Sequence, residues 1–231
     1  MPSRTSPRLD ARKKPRQARA LATLDAIFEA TIQVLLTDGP YRLTTTRVAL
    51  RAGVSVGTMY QYFPNKQALF YALNERYMDT LAEKVETTCK ARHGIPVRQM
   101  VEALLTTYWN AKMERPDVTQ ALYRAIAELD NGPLIEAFGR RVDAATTTML
   151  SSASDAVFTD LPGVNLTLLT TIFGTVRNVF ERNLPSTEAE AVREQLLLMC
   201  TAYLEAVSAQ RTPGANPAAL RCGCDAAATA S

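Results

Sequence analysis

Apolar side chains recur through most of the 231 residues at the three- and four-residue spacing that gathers them on one face of a helix. Leu24, Ile27, Phe28, Thr31 and Leu35 form the first stripe, and Asp38-Gly39-Pro40 closes it. Leu69, Leu73, Tyr77, Leu81 and Val85 then repeat every four residues on a long helix reaching about Arg92. His93-Gly94-Ile95-Pro96 breaks that helix, with His93 reading as a loop or helix-end residue. Val97, Met100, Val101, Leu104, Leu105, Tyr108 and Trp109 make a wide stripe, and after Arg115-Pro116-Asp117 come Ala121, Leu122, Ala125, Ile126 and Leu129. Turn chemistry at Asp130-Asn131-Gly132-Pro133 precedes Leu134, Ile135, Phe138, Val142, Ala145 and Met149. Leu161-Pro162-Gly163 is a further break. Two last helices follow, one with Leu166, Leu169, Phe173, Val176 and Phe180, the other capped by Ser186 or Thr187 and carrying Val192, Leu196, Met199, Tyr203 and Val207. The pattern predicts an all-α protein of about nine helices.

One stretch, Thr44 to Lys66, is read differently, because its helices are too short to be core elements alone. Thr44 or Thr45 caps a helix with Val48, Ala49 and Ala52 on one face, and Gly53 stops it by supplying a left-handed C-cap. Val54 plugs the corner, Ser55 caps a second helix from Val56 to Tyr62, and Phe63-Pro64 ends it. Asn65 caps the helix that begins at Lys66. Two short helices about a glycine turn are a helix-turn-helix, and the first stripe would cover it to form a three-helix core of Phe28, Leu35, Val48, Ala49, Val54, Met59 and Phe63. With Met59 and Phe63 inward, Val56, Gly57, Thr58, Tyr60, Gln61 and Tyr62 are left towards the outside. Gly57 permits close approach to base edges, Gln61 offers the donor and acceptor that adenine requires, and the Thr58 and Tyr60 hydroxyls can bond phosphates. Lys66 adds a charge at a helix N-terminus, suited to one more phosphate. The alternative for Tyr60 and Tyr62 is packing against the neighbouring helices.

From Thr44 to Leu69 the chain matches, without a gap, T-x-x-x-[VI]-A-x-x-A-G-V-S-x-G-x-x-Y-x-[YH]-F-x-[NS]-K-x-x-L. This resembles the DNA-binding signature of the TetR (tetracycline repressor) family of bacterial regulators. The resemblance implies that Thr45, Arg47, Thr58, Tyr60, Tyr62 and Lys66 contact backbone phosphates, and that Thr46, Val56, Gly57 and Gln61 lie near base edges. It implies a double-stranded DNA operator, a helical body enclosing a small apolar or amphipathic effector, and a homodimer.

Charge divides as such a protein requires. Residues 1–66 hold eleven Lys or Arg against four Asp or Glu, and the rest of the chain fifteen against nineteen. A basic head on a mildly acidic body suits nucleic acid and predicts salt-sensitive binding. Residues 1–17, with three prolines and six basic residues, read as a disordered arm, either a solubilising tail or, through Arg12, Lys13, Lys14 and Arg16, a source of phosphate and minor-groove contacts. Cys89 reads as an ordinary helix position and Cys200 as core, while Cys222-Gly-Cys224 lies in an Ala-, Gly- and Pro-rich segment from 210 to 231 that reads as a disordered tail. No metal or other cofactor is expected. With no apolar run of 18 residues and no signal-peptide segment, the chain reads as cytoplasmic, without a membrane partner. One histidine, no phosphate-cradling glycine loop and no nucleophile-base spacing argue against an enzyme.

The expected organisation is a basic arm (1–17), a helix-turn-helix DNA-binding domain (18–66), a helical ligand-binding and dimerisation domain (67–209) and a tail (210–231). The last two helices form an antiparallel hairpin with further apolar rows, Ile172 and Val179 on one, Leu197 and Leu204 on the other. Two copies of residues 164–208 would bury these rows as a four-helix bundle, or the rows belong to the core of a single chain. Tyr108, Trp109, Met113, Tyr123, Phe138, Phe173 and Arg177, large or polar-tipped groups on helices expected to meet, are the candidate effector pocket, and ordinary core packing is the alternative. The expected activity is that of a sequence-specific transcriptional regulator, a repressor relieved by its ligand. Control by a protein partner is the competing expectation.

Overall fold

The structure, a computed structural model, describes residues 18–126 and 131–210. The predicted basic arm, Leu129, the Cys222-Gly-Cys224 pair and nearly all of the predicted tail lie outside them. Nine helices occur among the described residues: α1 (Ala18–Arg42), α2 (Thr45–Ala52), α3 (Val56–Tyr62), α4 (Lys66–Ala91), α5 (Val97–Met113), α6 (Pro116–Ile126), α7 (Gly132–Ser151), α8 (Leu161–Glu181) and α9 (Ser186–Val207). The predicted break at Asp38-Gly39-Pro40 is a kink within α1, where Gly39 takes φ +76°, and one further turn follows it. Leu161-Pro162-Gly163 proves to be a helix start, with the Asp160 side chain accepting from Gly163 N at 3.1 Å and Pro162 in the first turn.

Two apolar cores are laid out along the chain. The first joins Ile27, Phe28 and Leu35 of α1 to Val48, Ala49, Met59 and Phe63, with Val54 half-buried against it, and extends to Leu69, Phe70 and Leu73 of α4. It also takes Val118, Leu122 and Ala125 from α6, so a body helix packs directly on the head. Residues Arg19–Arg42 are long and apolar enough, by length and composition, to cross a membrane, but the apolar face of α1 is occupied by this core. The second core is built on α5, whose predicted stripe from Val97 to Trp109 is buried at all seven positions. Around it pack the distal half of α4, α7, α8 and α9.

On three body helices the predicted inward stripe holds except at one position each. On α7 it runs through Leu134, Val142 and Met149, leaving Ile135, one residue and about 100° away, exposed. Asn165 and Leu168 face the core on α8, so Leu166 points out. On α9 the buried line is Ala189, Leu196, Cys200 and Leu204, and Met199 is outside. The rows expected as surplus surface are largely internal: Ile172, Val179 and Leu204 are buried and Leu197 is half-buried. Helix α9 has no hydroxyl cap; its N-cap is Pro185, and Ser186 is already helical.

Polar clamps fix the helices to one another. Arg141 of α7 grips Glu86 of α4 with two bonds, Nε to Oε1 at 2.7 Å and Nη2 to Oε2 at 2.8 Å, and reaches Asp79 at 2.9 Å. The buried Asn165 amide donates to Asp143 Oδ1 at 2.7 Å and Thr147 Oγ1 at 2.9 Å, tying α8 to α7. A two-stranded antiparallel ribbon, β1 (Ala156–Phe158) with β2 (Ser208–Gln210), joins the α7–α8 connection to the end of α9 and adds to the all-α architecture an element the sequence did not suggest. Beside it, Ser152 Oγ accepts from Gly94 N at 2.9 Å and Asp155 Oδ1 from Val97 N at 2.8 Å, stitching the α4–α5 corner to the end of α7.

Candidate functional site

The helix-turn-helix is closed by the expected groups. Thr44, rather than Thr45, caps α2, its Oγ1 accepting from Arg47 N at 3.2 Å. Gly53 sits at φ +67°, and the bonds from Gly53 N to Leu50 O (3.3 Å) and from Val54 N to Ala49 O (3.0 Å) complete the paired C-terminal closure that left-handed glycine allows. Ser55 Oγ accepts from Thr58 N at 2.9 Å and lies 2.8 Å from Thr58 Oγ1, so one cap sets both the start of α3 and the Thr58 rotamer. Asn65 caps α4 through Ala68 N at 2.8 Å.

Met59 and Phe63 are fully buried, and Val56, Gly57, Tyr60 and Gln61 are exposed along the outer face of α3 with Thr58 half-buried beside them. Tyr62 is not outward: it is 8% exposed and packs against Phe63, ring centroids 6.3 Å apart. Its position is three after Met59 and one before Phe63, which puts it on the inward stripe of a helix only seven residues long. On α2, Thr46 is exposed and Thr45 buried. The Arg47 guanidinium is held at 2.9 Å by Asp38 from the end of α1. Lys66 donates from Nζ to Pro40 O at 2.7 Å, with the ammonium 5.5 Å from the Phe70 ring centre, so it pins the α1–α2 corner to α4. Tyr41 and Arg42, which follow the Gly39-Pro40 turn, are both exposed in that corner.

In the body the structure gathers five of the seven candidate pocket residues. Tyr108 stacks on Phe173 at 4.4 Å, Phe138 lies 5.5 Å from Phe173, and the Arg177 guanidinium carbon is 5.7 Å from the Tyr123 ring centre. Trp109 is buried and Met113 half-buried in the same core. At the middle of the group is a residue the stripe reading passed over. Lys112 is only 4% exposed, with its Nζ 4.6 Å from the ring centre of Tyr77, 5.0 Å from that of Tyr123 and 5.5 Å from that of Tyr108. The signal was present, since Lys112 follows Tyr108 by four and Trp109 by three on the buried face of α5. Burial, reinforced by the nearby Arg177 charge, pushes its amine down to about 7, and burial raises the Tyr77, Tyr108 and Tyr123 hydroxyls. Thr119 Oγ1 donates to Lys112 O at 3.0 Å, so its one proton is spent and Tyr77 Oη donates to Thr119 at 2.9 Å.

Two clefts border this region. One, about 410 Å³, lies between α1, α4, α5 and α6 over Phe28, Ile32, Leu73, Tyr77, Val118 and Leu122, with Asp25–Arg76 and Glu29–Arg115 ion pairs at its rim. The other, about 600 Å³, lies between α4 and α7 beside Glu86, Lys90, His93, Arg140 and Arg141. None of the seven candidate pocket residues lines either cleft.

A three-helix head with an exposed second helix, continuous through α4 with a helical body, defines a DNA-binding regulator. Residues 27–73 match the family model described as bacterial regulatory proteins, tetR family, and residues 96–204 that of the tetracyclin repressor-like C-terminal domain. The chain belongs to the TetR family of transcriptional regulators. A TetR-family regulator from Mesorhizobium loti has the same fold, with a TM-score of 0.66 at 16% identity over 85% of this chain and 100% of that one. So does SmeT, the repressor of the Stenotrophomonas maltophilia multidrug efflux pump SmeDEF, with a TM-score of 0.59 at 19% identity over 84% and 96%. In sequence, nucleoid occlusion factor SlmA of Actinobacillus pleuropneumoniae is 33% identical over 109 residues, 47% of this chain and 50% of the relative. The chain thus matches about half the length of such relatives.

Proposed function

We infer that the protein is a homodimeric repressor that holds a palindromic operator through α3 and releases it when a small apolar or amphipathic effector enters the body. The division of labour is a head over residues 18–66 and a sensor over 67–209, working in the cytoplasm beside the chromosome. The observation that carries the reading is the two-sidedness of α3: Met59 and Phe63 are fully buried beneath an exposed row of Val56, Gly57, Tyr60 and Gln61. In this reading Thr46, Val56, Gly57 and Gln61 face base edges, while Arg47, Thr58, Tyr60 and Lys66 lie towards the phosphates and the buried Thr45 and Tyr62 would reach them only with their hydroxyl ends; Arg47 and Lys66 would exchange their Asp38 and Pro40 partners for DNA, or hold the corner against it. The pocket is assigned to Tyr108, Trp109, Met113, Tyr123, Phe138, Phe173 and Arg177.

Dimerisation is assigned to the outer faces of α8 and α9 within residues 164–208. Support comes from Leu166, Leu198 and Met199, which are 65%, 62% and 51% exposed on neighbouring helices. Two-fold symmetry then requires half-sites about one helical turn, or a multiple of it, apart. Coupling of about 1–3 kcal/mol between effector and operator is the ordinary scale for such release. The test is a gel shift against DNA upstream of the chain's own gene. Gln61→Ala should alter preference among sites, and Lys66→Ala should weaken all sites alike and flatten the salt dependence; identical behaviour of the two contradicts these roles.

A second reading, that a protein partner rather than a small molecule controls the head, goes with the likeness to a protein named for nucleoid occlusion rather than for a ligand. Thermal stabilisation by a panel of metabolites, set against pull-down of partners by the full chain, separates the two.

A further inference from the structure

Lys112 and Arg177 reach the same ring, Tyr123, from α5 and α8, at 5.0 and 5.7 Å. One carboxylate among the described residues pairs with either of them: Glu181, 2.7 Å from Arg177 Nε. Among the described residues no acid pairs with Lys112, whose ammonium has only the faces of Tyr77, Tyr108 and Tyr123 around it. Ring faces attract a cation but do not replace the strong acceptors it leaves behind in water, and a buried charge without a counter-ion is costly. The two cations also repel each other, and that repulsion helps to push the Lys112 amine down to about 7. An evolved core position of this kind is ordinarily an apolar residue, as the remainder of the α5 stripe is. A lysine held there, with no acid beside it among the described residues, is suited to a carboxylate that a ligand brings.

We propose that the effector of this body is an organic acid, whose carboxylate sits between Lys112 and Arg177 against Tyr123 and whose apolar portion lies on Phe173 and Phe138. The proposal rests on the ligand-relieved reading above and gives that ligand its chemical class. Arg177 is exposed and Tyr123 half-buried, so an acid arriving from solvent meets the Arg177 guanidinium before the buried amine. An acid entering in its neutral form hands its proton to the Lys112 amine, leaving carboxylate and ammonium as an ion pair; one entering ionised meets the ammonium already formed. Either way the end state is a carboxylate between two cations, and α5, α6 and α8 are drawn onto one group. Helix α6 is also the element that packs on the head, through Val118, Leu122 and Ala125.

The experiment uses the full chain and the matched probes sodium decanoate and 1-decanol. Binding is followed by calorimetry and by fluorescence of Trp109, the chain's one tryptophan. Decanoate is expected to bind at least about tenfold tighter than decanol, the scale of a charge-assisted hydrogen bond. That preference should drop below about threefold in Lys112→Met and be largely kept in Lys112→Arg. Arg177→Gln, a change at an exposed position, should lower it in part and supplies the result if Lys112→Met fails to fold. Equal binding of the two probes, no binding of either, or an undiminished preference in both Lys112→Met and Arg177→Gln overturns the proposal. A neutral compound that frees operator DNA equally from wild type and Lys112→Met would leave ligand-relieved repression standing and remove only the acid. Decanoate bound as expected, with operator retained, would do the reverse.

Discussion

Glu29 of α1 and Arg115, immediately before α6, meet at 3.1 Å across the seam between the DNA-reading head and the body. Arg76 and Asp25 make a second ion pair across the same seam, from α4 to α1. Both pairs are half-exposed and contribute little to stability, about 0–1 kcal/mol each. Their place gives them another consequence, because they set how α1 rests against the body helices that an effector would move. Glu29→Arg should therefore change operator affinity by about 0.5–2 kcal/mol while the melting temperature barely moves. Combining it with Arg115→Glu should restore affinity. A gel shift at fixed salt reads the cycle.

Stability should rise with pH just above neutrality because of Lys112. Its amine is pushed down to about 7 in the folded chain, chiefly by burial, whereas unfolded it titrates near about 10.4. Between those values the unfolded chain binds more protons, so raising the pH favours the folded form, and the benefit is lost as pH falls through the folded value. The facing groups are Tyr77, Tyr108, Tyr123 and Arg177; the tyrosines are raised, as are the thiols of Cys89 and Cys200 to about 11, and these oppose the trend above about pH 8.5. From pH 7 to 8.5 the wild type should gain about 1–2 kcal/mol relative to Lys112→Met, read from urea midpoints.

Two small changes in the turn should cost stability for separate reasons. Ser55→Ala removes the acceptor for Thr58 N and should cost about 1 kcal/mol. At Gly53 a Cβ would meet nothing within 4 Å, so Gly53→Ala is penalised only by its φ of +67°, about 1–2 kcal/mol. Ser55→Ala also frees the Thr58 hydroxyl, but neither change alters Val56, Gly57 or Gln61, the residues assigned to base edges. Site preference among operator variants should stay as in wild type even where overall affinity falls.

Leu198→Arg and Ile172→Ala distinguish interface from core. Leu198 is exposed on α9, and its replacement should leave the melting temperature of the chain nearly intact while converting dimer to monomer in sedimentation analysis and weakening operator binding. Ile172 is fully buried, and its truncation should cost about 2–5 kcal/mol without acting on association directly.

The head was legible because its short helices are specified by local chemistry: Thr44, Ser55 and Asn65 each cap a helix through their own side chain, and Gly53 takes the left-handed φ the turn requires. The α5 stripe was equally plain, since one wide apolar face admits one orientation. On α8 and α9 one predicted position each, Leu166 and Met199, faces outward, because apolar residues occur on several sides of these helices and the choice among them is made by α5 and α7, distant in sequence. Tyr62 was misplaced by chemical type, a hydroxyl read as outward although its spacing from Met59 pointed in. Lys112 is hard to read for a like reason: its charge argues for solvent while its spacing from Tyr108 and Trp109 places it on the buried stripe. The ribbon of β1 and β2 is three residues a side, too short for a two-residue period to declare itself.

The stitched corner where Gly94 and Val97 bond to Ser152 and Asp155 turns α4 into a lever arm. Its 26 residues span about 39 Å at the usual helical rise. A swing of only about 5° at the fastened end carries Lys66 and everything beyond it through about 3 Å, close to the spacing of adjacent base pairs, about 3.4 Å. In the dimeric reading proposed above, a tilt of that size is enough to move a reading helix out of step with its half-site by about one base pair.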